Sequence, residues 1–155
     1  EYGECQNNSE DFSPLADQPL LKGLQSSDLE TLQKKVTSTE YESGSKIIQL
    51  NEKADGIYFL RSGKVSVMVG DGIYVSSLDA GTCFGELALI APDATRTANI
   101  IADTKVFCSF LSIKAFNEIS LVNPSFNELL LRNLGFILFE RLKQNNSKII
   151  ALSAN

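Results

Sequence analysis

The stretch that decides the fold is GIYFLRSGKVSVMVGDGIYVSSL, residues 56–78. Its apolar residues alternate with polar ones in short runs, which is the period-two pattern of β-strands. Gly70-Asp71-Gly72 separates two of these runs, and glycine accepts the positive φ of a tight turn without a Cβ penalty. The stretch therefore predicts strands joined by an antiparallel hairpin.

The same pattern extends on both sides, from residue 37 to about 111. Further short runs are GSKIIQL (44–50), TANIIA (97–102) and KVFCSFL (105–111), set between turn residues. About seven or eight strands without alternating helices indicate an antiparallel sandwich, barrel or jelly roll rather than a parallel α/β sheet.

Helical periodicity flanks the strands. Ser27-Asp28-Leu29-Glu30 has the form of a capping box and predicts a helix from about 27 to 36. After the strands, a short helix is expected from Ile113. Pro124 then opens a long helix over about 125–152.

These elements predict a mainly β fold with flanking helices in a single domain. The expected boundaries are a polar tail or linker remnant over 1–14 and a domain over 15–152, with strands at about 37–111 and C-terminal helices at about 113–152.

The long helix contains a seam that could join two copies of the chain. Leucines and isoleucines recur at three- and four-residue spacing, with Gly135 and Asn145 in the remaining places: Leu131, Leu138, Leu142, Ile149 and Leu152. The same residues could instead pack on the chain's own strands. A homodimer through this helix and an intramolecular packing face are both open.

Composition excludes several classes of function. There is no histidine, so His-dependent triads, dyads, zinc sites and general bases are ruled out. Fourteen basic against nineteen acidic residues give a net charge of −5, which argues against direct nucleic-acid binding. Cys5, Cys83 and Cys108 form no CxxC pair, so neither a disulfide framework nor a metal site is expected, and a cytoplasmic setting is the simplest. No apolar run approaches the ~18 residues of a membrane span, so we expect no membrane insertion.

The segment with functional chemistry is GTCFGELALIAPDATRTANIIA, residues 81–102. A glycine turn leads into a segment that can form one helical turn, Glu86 to Ile90, and Arg96 stands before a strand. Unpaired amides at the start of the turn and a forked guanidinium together suit a small anion. Glu86 beside them makes sense if the ligand also presents hydroxyl donors, as a ribose does. The side chains of Leu87, Leu89 and Ile90 are expected in the core.

FGELAL at 84–89, with Arg96-Thr97-Ala98 ten residues after Glu86, resembles the phosphate-binding cassette of cyclic nucleotide-binding domains. The similarity is greatest to the bacterial catabolite-activator type, and the kinase regulatory-subunit type shares it. It implies an antiparallel double-stranded β-helix, or jelly roll, with one N-terminal and two C-terminal helices. Activator-type proteins continue into a helix-turn-helix, so this chain is not expected to be a complete transcription factor of that type.

The resemblance also implies the ligand contacts. Arg96 would pair with the exocyclic phosphate oxygens and Glu86 would accept the ribose 2′-hydroxyl. Backbone amides would complete the cradle, those around Gly85, Leu87, Ala88, Thr97 and Ala98.

Contacts to the base are implied by the same resemblance. Val67 corresponds to a position that packs on the base, and aligning the pair Arg141-Leu142 places Asn145 and Asn146 near it. The ligand is expected to be cAMP or cGMP, with cAMP preferred as the interpretation although Thr97 after the arginine also occurs in cyclic-GMP binders. No cofactor or metal is implied.

The expected function is a regulatory sensor that is not an enzyme and acts on a fused or associated effector. One alternative is a ligand-independent scaffold or oligomerisation module, in which Glu86 and Arg96 simply pair with each other on the surface. A metal-dependent enzyme on a similar barrel would need clustered ligands, which the sequence lacks.

Overall fold

The computed structural model of the chain describes residues 12–70, 72–91 and 93–153, with side chains up to residue 145. Residues 1–11 of the predicted tail and Asp71 of the predicted hairpin turn lie outside this range. The described residues form eight strands: β1 (Thr37–Tyr41), β2 (Lys46–Ile48), β3 (Gly56–Ser62), β4 (Lys64–Val69), β5 (Ile73–Asp79), β6 (Cys83–Phe84), β7 (Asn99–Ala102) and β8 (Val106–Ser112). They also form the helices α1 (Ser26–Lys35), α2 (Ile113–Val122) and α3 (Pro124–Ser153), and 3-10 turns at Leu15–Asp17, Pro19–Leu21 and Glu86–Leu89.

The strands make two antiparallel sheets of four. The first has the order β1-β8-β3-β6 and the second β2-β7-β4-β5. The predicted hairpin is β4–β5, in which Val67 pairs with Ser76 before a bulge at Met68. The order confirms the predicted jelly roll, because most neighbours in each sheet come from distant parts of the chain.

The helices agree with prediction except at the first N-terminus. α1 begins at Ser26 and its N-cap is Gln25, without a side-chain capping bond, so the capping box predicted at Ser27 is wrong. The reason is that the Leu29 amide donates to the Gln25 carbonyl, which starts the helix one residue early. α2 begins at Ile113 as expected, with Ser112 accepting from the Ala115 amide at 3.0 Å.

Two apolar clusters lie on opposite faces of the first sheet. One, the helix-side cluster, lies between that sheet and the helices and includes Phe59, Phe126 and Leu130, all nearly inaccessible to solvent. The other fills the space between the sheets and includes Leu60 and Phe84. Burial of both faces explains why β3 reads as an apolar run rather than a clean alternation.

Gly56 allows β3 and β8 to approach closely beside the segment that contains Arg96. A Cβ at this position would lie 2.4 Å from the Leu111 carbonyl oxygen and 2.5 Å from the Phe110 ring. Only glycine fits there, and its own carbonyl is left pointing at the Arg96 guanidinium. The tight packing thus positions one wall of the site described next.

Candidate functional site

The site begins where β6 turns into the 3-10 helix. Gly85 takes a left-handed conformation, φ 75° and ψ 18°, which an L side chain adopts only at a cost. A Cβ on Gly85 would lie 2.8 Å from Arg96 Nη1 and 3.2 Å from the Ile48 side chain. The first amides of the turn have no partner within it. The glycine therefore lets the backbone approach the arginine and exposes donors at the same place.

Arg96 is held in a buried position by backbone and side-chain partners. Only 8% of the residue is exposed, and its own amide donates to the Glu52 carbonyl at 2.6 Å. The guanidinium donates from Nη1 to the Gly85 carbonyl at 3.0 Å, and from Nη2 to the Gly56 carbonyl at 2.8 Å and the Asp55 carboxylate at 3.2 Å. Among the described residues these are the partners of the guanidinium, so two of its five N–H groups have no protein partner there.

Glu86 is buried as well, but its partner is on the long C-terminal helix. Arg141 of α3 donates from Nη1 to Glu86 Oε1 and from Nη2 to the Cys83 carbonyl, the latter at 2.8 Å. The Glu86 side chain is 9% exposed and that of Arg141 is 31% exposed. The alternative in which Glu86 pairs with Arg96 is not what the structure shows.

A cavity of about 260 Å³ opens between these groups. Its charged lining consists of Glu86, Arg96 and Arg141, joined by the hydroxyls of Thr95 and Thr97. The remaining wall is largely aliphatic and aromatic and includes Ile48, Val67, Leu78, Phe84, Leu87, Ile90 and Ile100. The expectation that Leu87 and Ile90 are core residues is wrong, because both are exposed at the rim; Leu89 packs partly against the helix-side cluster.

The thiol next to the site is not an activated nucleophile. Burial raises the pKa of Cys83 to about 12, and the nearby Glu86 carboxylate contributes to the rise. Cys83 packs in the apolar cluster beneath the helices. At neutral pH the thiol therefore stays protonated, and the side chain serves in packing.

Neither a cluster of metal-ligating side chains nor a helix suited to span a membrane lies in the described part of the chain. No group of three or more cysteine, aspartate or glutamate side chains is placed to hold a metal ion there. Within the same residues, no helix combines the length and apolarity needed to span a bilayer.

Comparison with known families identifies the family to which the fold belongs. A family model described as the cyclic nucleotide-binding domain matches residues 38–122, which is more than half of the chain. The chain belongs to this family. The resemblance seen in the sequence is thereby confirmed.

This cyclic nucleotide-binding domain is similar to parts of several different proteins. It is 38% identical over 140 residues to Glutaminase 1 of Bradyrhizobium diazoefficiens, covering 90% of the chain and 22% of that protein. The structure resembles the catabolite activator protein of Thermus thermophilus, with a TM-score of 0.71, 23% identity and coverage of 88% of this chain and 63% of that one. It also resembles the regulatory domain of Toxoplasma gondii PKA crystallised with cAMP, with a TM-score of 0.66, 25% identity and coverage of 78% and 47%. The chain thus spans about a fifth of the length of the glutaminase.

The structure brings most of the expected site residues of the cyclic nucleotide-binding domain to the cavity. Those that line it are Gly85, Glu86, Leu87, Arg96, Thr97, Ala98 and Val67. Ala88 is fully buried, and its amide donates to the Gly85 carbonyl at 3.3 Å within the turn. Asn145 is exposed and lies outside the lining, and the side chain of Asn146 lies outside the described residues.

Two residues at the site of this cyclic nucleotide-binding domain were not predicted from the sequence. Arg141 served only to align the long helix, yet it lines the cavity and pairs with Glu86. Asp55 was not singled out, yet it is the carboxylate that pairs with the Arg96 guanidinium. A signal for Arg141 was present, because a carboxylate expected at a buried anion site needs a cation to balance it.

Proposed function

We propose that the chain is a regulatory domain that binds a cyclic nucleotide, with cAMP as the expected ligand, and couples binding to movement of the C-terminal helix. The observation on which this rests is the cavity itself. Arg96 and Glu86 both line it, each has a different protein partner, and neither is consumed by pairing with the other. An open cavity with the charges of Arg96 and Glu86 on its wall favours a ligand-binding sensor over a ligand-independent scaffold, in which this space would be filled.

In this proposal the cyclic phosphate binds at Arg96. Its guanidinium is fixed by three hydrogen bonds before any ligand arrives, so little side-chain entropy is lost on binding. The two remaining N–H groups would donate to the exocyclic oxygens. Such charge-assisted bonds are stronger than neutral ones, and the buried setting strengthens them further.

The ribose would bind at Glu86. Arg141 occupies one carboxylate oxygen, Oε1, and an ionised carboxylate has about four acceptor sites over two oxygens. Oε2 can therefore accept the 2′-hydroxyl while the ion pair to Arg141 stays in place. A hydroxyl is a donor that a carboxylate can use, whereas a bare phosphate is not.

The charges around the cavity balance before the ligand enters. The carboxylates of Asp55 and Glu86 face the guanidiniums of Arg96 and Arg141 one to one. A singly charged cyclic phosphodiester thus meets a neutral site with free donors rather than an acidic one. Without Arg141 the same ligand would meet a net negative charge, which would oppose binding at low dielectric.

The same ion pair would connect ligand binding to the effector. Arg141 ties α3 to the cassette at two points, Glu86 and the Cys83 carbonyl. A hydroxyl that donates to Oε2 draws negative charge away from Oε1, which weakens the ion pair with Arg141 without breaking it. The binding energy of the ligand can therefore bias two arrangements of the helix. Since a similar segment forms part of a glutaminase, one candidate effector is an enzyme fused to this domain. We propose no catalytic role and no direct nucleic-acid contact for the domain itself.

The surface of α3 favours a homodimer as a second part of the function. Leu131 and Phe139 are exposed, and Leu142 is 57% exposed, while an added Cβ at Gly135 would meet nothing within 4 Å. These positions share one face of the helix, which is turned away from the buried side chains of Phe126, Leu130 and Leu134. Leu138 packs partly against the helix-side cluster, so in this proposal one part of the seam packs on the chain itself and the exposed part binds a second copy.

Isothermal titration with cAMP tests the proposed function. Arg96→Ala should weaken binding by about 30-fold to several thousand-fold, since truncating half of a buried charge pair costs about 2–5 kcal/mol. Arg132→Ala, which removes a guanidinium from an exposed position on α3, is the control and should bind as the wild type does. Arg96→Ala binding cAMP as tightly as the wild type would contradict the assignment.

A second pair of measurements does not depend on how well Arg96→Ala folds. The wild type should bind 2′-deoxy-cAMP at least about tenfold more weakly than cAMP, the worth of one hydrogen bond to a charged group. In Glu86→Gln that difference should shrink. If both proteins prefer cAMP to 2′-deoxy-cAMP by the same factor, the ribose 2′-hydroxyl does not bind at Glu86.

A further inference from the structure

The part of the cavity left for the base is aliphatic. With phosphate and ribose bound at Arg96 and Glu86, the base would extend over a wall from the second sheet, which consists of Val67 on β4, Leu78 on β5 and Ile100 on β7. Methyl groups can pack on the face of a ring but cannot hydrogen-bond to its edge. Every base has such a face, so packing of this kind is tolerant of base identity.

In this placement, the described side chains at the mouth of the cavity would leave the edge of the base in water. Leu87 and Ile90 are both exposed at the mouth, and Thr97 is exposed beside Arg96. Adenine and guanine differ in the amino and oxo groups on their edges. Groups that stay hydrated make the same bonds to water in the free and bound states, so they contribute little to the choice between ligands.

We propose that this site selects the cyclic phosphate and the ribose and accepts cAMP and cGMP with similar affinity. The inference rests on the proposed function and refines it, because cAMP becomes one member of a class of ligands. An apolar pocket discriminates between related ligands by about 10²-fold at most, whereas a site that hydrogen-bonds the distinguishing group reaches about 10⁴-fold or more. With the distinguishing group in water, the expected ratio of the two dissociation constants is below about tenfold.

Calorimetric titration of the wild-type chain with cAMP, cGMP and cUMP, and with 5′-AMP as the non-cyclic control, tests the inference. We expect cAMP and cGMP to bind within about tenfold of each other, and cUMP to bind measurably but more weakly, since a smaller ring covers less of the wall. 5′-AMP should bind far more weakly than cAMP, because it carries a second negative charge and lacks the ring-closed phosphate.

The outcomes of these titrations distinguish a failure of the inference from a failure of the proposed function. If no cyclic nucleotide binds, the proposed function fails and the inference with it. If one purine ligand binds clearly more than about tenfold tighter than the other, the function stands and the base tolerance is wrong.

Two variants test whether a polar group on this chain nevertheless selects the base. Whatever the size of their effects on affinity, Thr97→Ala and Asn146→Ala should each alter the cAMP and cGMP dissociation constants by the same factor. A loss confined to one of the two nucleotides would show that the altered side chain hydrogen-bonds the base edge, and would overturn the inference.

Discussion

Replacing Arg141 by methionine isolates the ion pair between α3 and the cassette. Methionine keeps an unbranched stem and removes the guanidinium, so the Glu86 carboxylate and the Cys83 carbonyl both lose a donor. Removing one partner of a buried pair costs about 3–5 kcal/mol. Because the Arg141 side chain is 31% exposed, water can replace part of the loss, and we expect about 2–3 kcal/mol of destabilisation.

Urea denaturation followed by circular dichroism measures this loss, and thermal unfolding provides a check. For a domain of this size about 1 kcal/mol corresponds to about 2–4 °C, so the midpoint should fall by roughly 4–12 °C. Arg132→Met is the matched control on the same helix: its ion pair with Glu128 is 3.8 Å long and both side chains are about three-quarters exposed. It should change the unfolding free energy by less than about 0.5 kcal/mol.

A double-mutant cycle with Glu86→Gln decides whether the loss comes from the pair. The double variant should be less destabilised than the sum of the single variants by at least about 1 kcal/mol, since the neutral amide introduced by Glu86→Gln no longer needs a cation beside it. Strictly additive effects, or an Arg141→Met protein as stable as the control, would refute the reasoning that this pair holds the helix to the cassette.

Three further predictions concern the rest of the molecule. Burial raises the pKa of Cys83 and Cys108 from 9.0, and that of Tyr58 from 10.0, to about 12 in each case, so the stabilisation from these neutral groups is complete below their ordinary pKa and is lost as the pH approaches about 12. The free energy of unfolding, measured by urea titration, should therefore fall as the pH rises from about 9 to about 12. An unchanged stability up to pH 12 would contradict the burial of these three side chains. Gly85→Ala should weaken cyclic nucleotide binding in calorimetry by at least about fivefold, which corresponds to about 1 kcal/mol, because its Cβ would lie 2.8 Å from Arg96 Nη1 and displace the guanidinium. The positive φ adds a folding cost of about 1–2 kcal/mol. The control Gly72→Ala has the same left-handed cost with nothing within 4 Å and should leave binding intact; equal losses in both would implicate the backbone alone. Leu142→Asp should shift sedimentation from dimer to monomer while the melting temperature stays within a few degrees, since that side chain is more than half exposed; an unaltered mass would exclude the α3 seam as the interface.

Local patterns predicted the elements well where one short-range cause dominates. Gly70 and Gly72 take positive φ as the predicted hairpin turn requires, and Pro124 opens α3 at the step between the helices. The capping box failed because an equally good hydrogen bond, Leu29 amide to Gln25 carbonyl, started α1 one residue earlier. Such competition between neighbouring caps depends on where the chain enters the helix, which a four-residue pattern does not contain.

Side-chain burial in the cassette was harder to predict. Residue type alone places Leu87 and Ile90 in the core, but the tight 3-10 turn after Gly85 directs both to the rim of the cavity. Apolar surface around an opening is what a ligand site requires. The apolar character was therefore visible in the sequence, while its exposure followed from the path of the backbone.

The amino-acid sequence by itself determined the succession of strands and helices, the absence of histidine chemistry, and the presence of an acid and an arginine ten residues apart in a glycine-rich turn. These depend on residue type and spacing, which act over a few residues. Only the tertiary structure decided how the charges pair: Arg96 with Asp55, and Glu86 with Arg141. The latter partners are 55 residues apart in the chain, and they meet because the buried face of α3 packs on the first sheet and brings its arginine over the cassette.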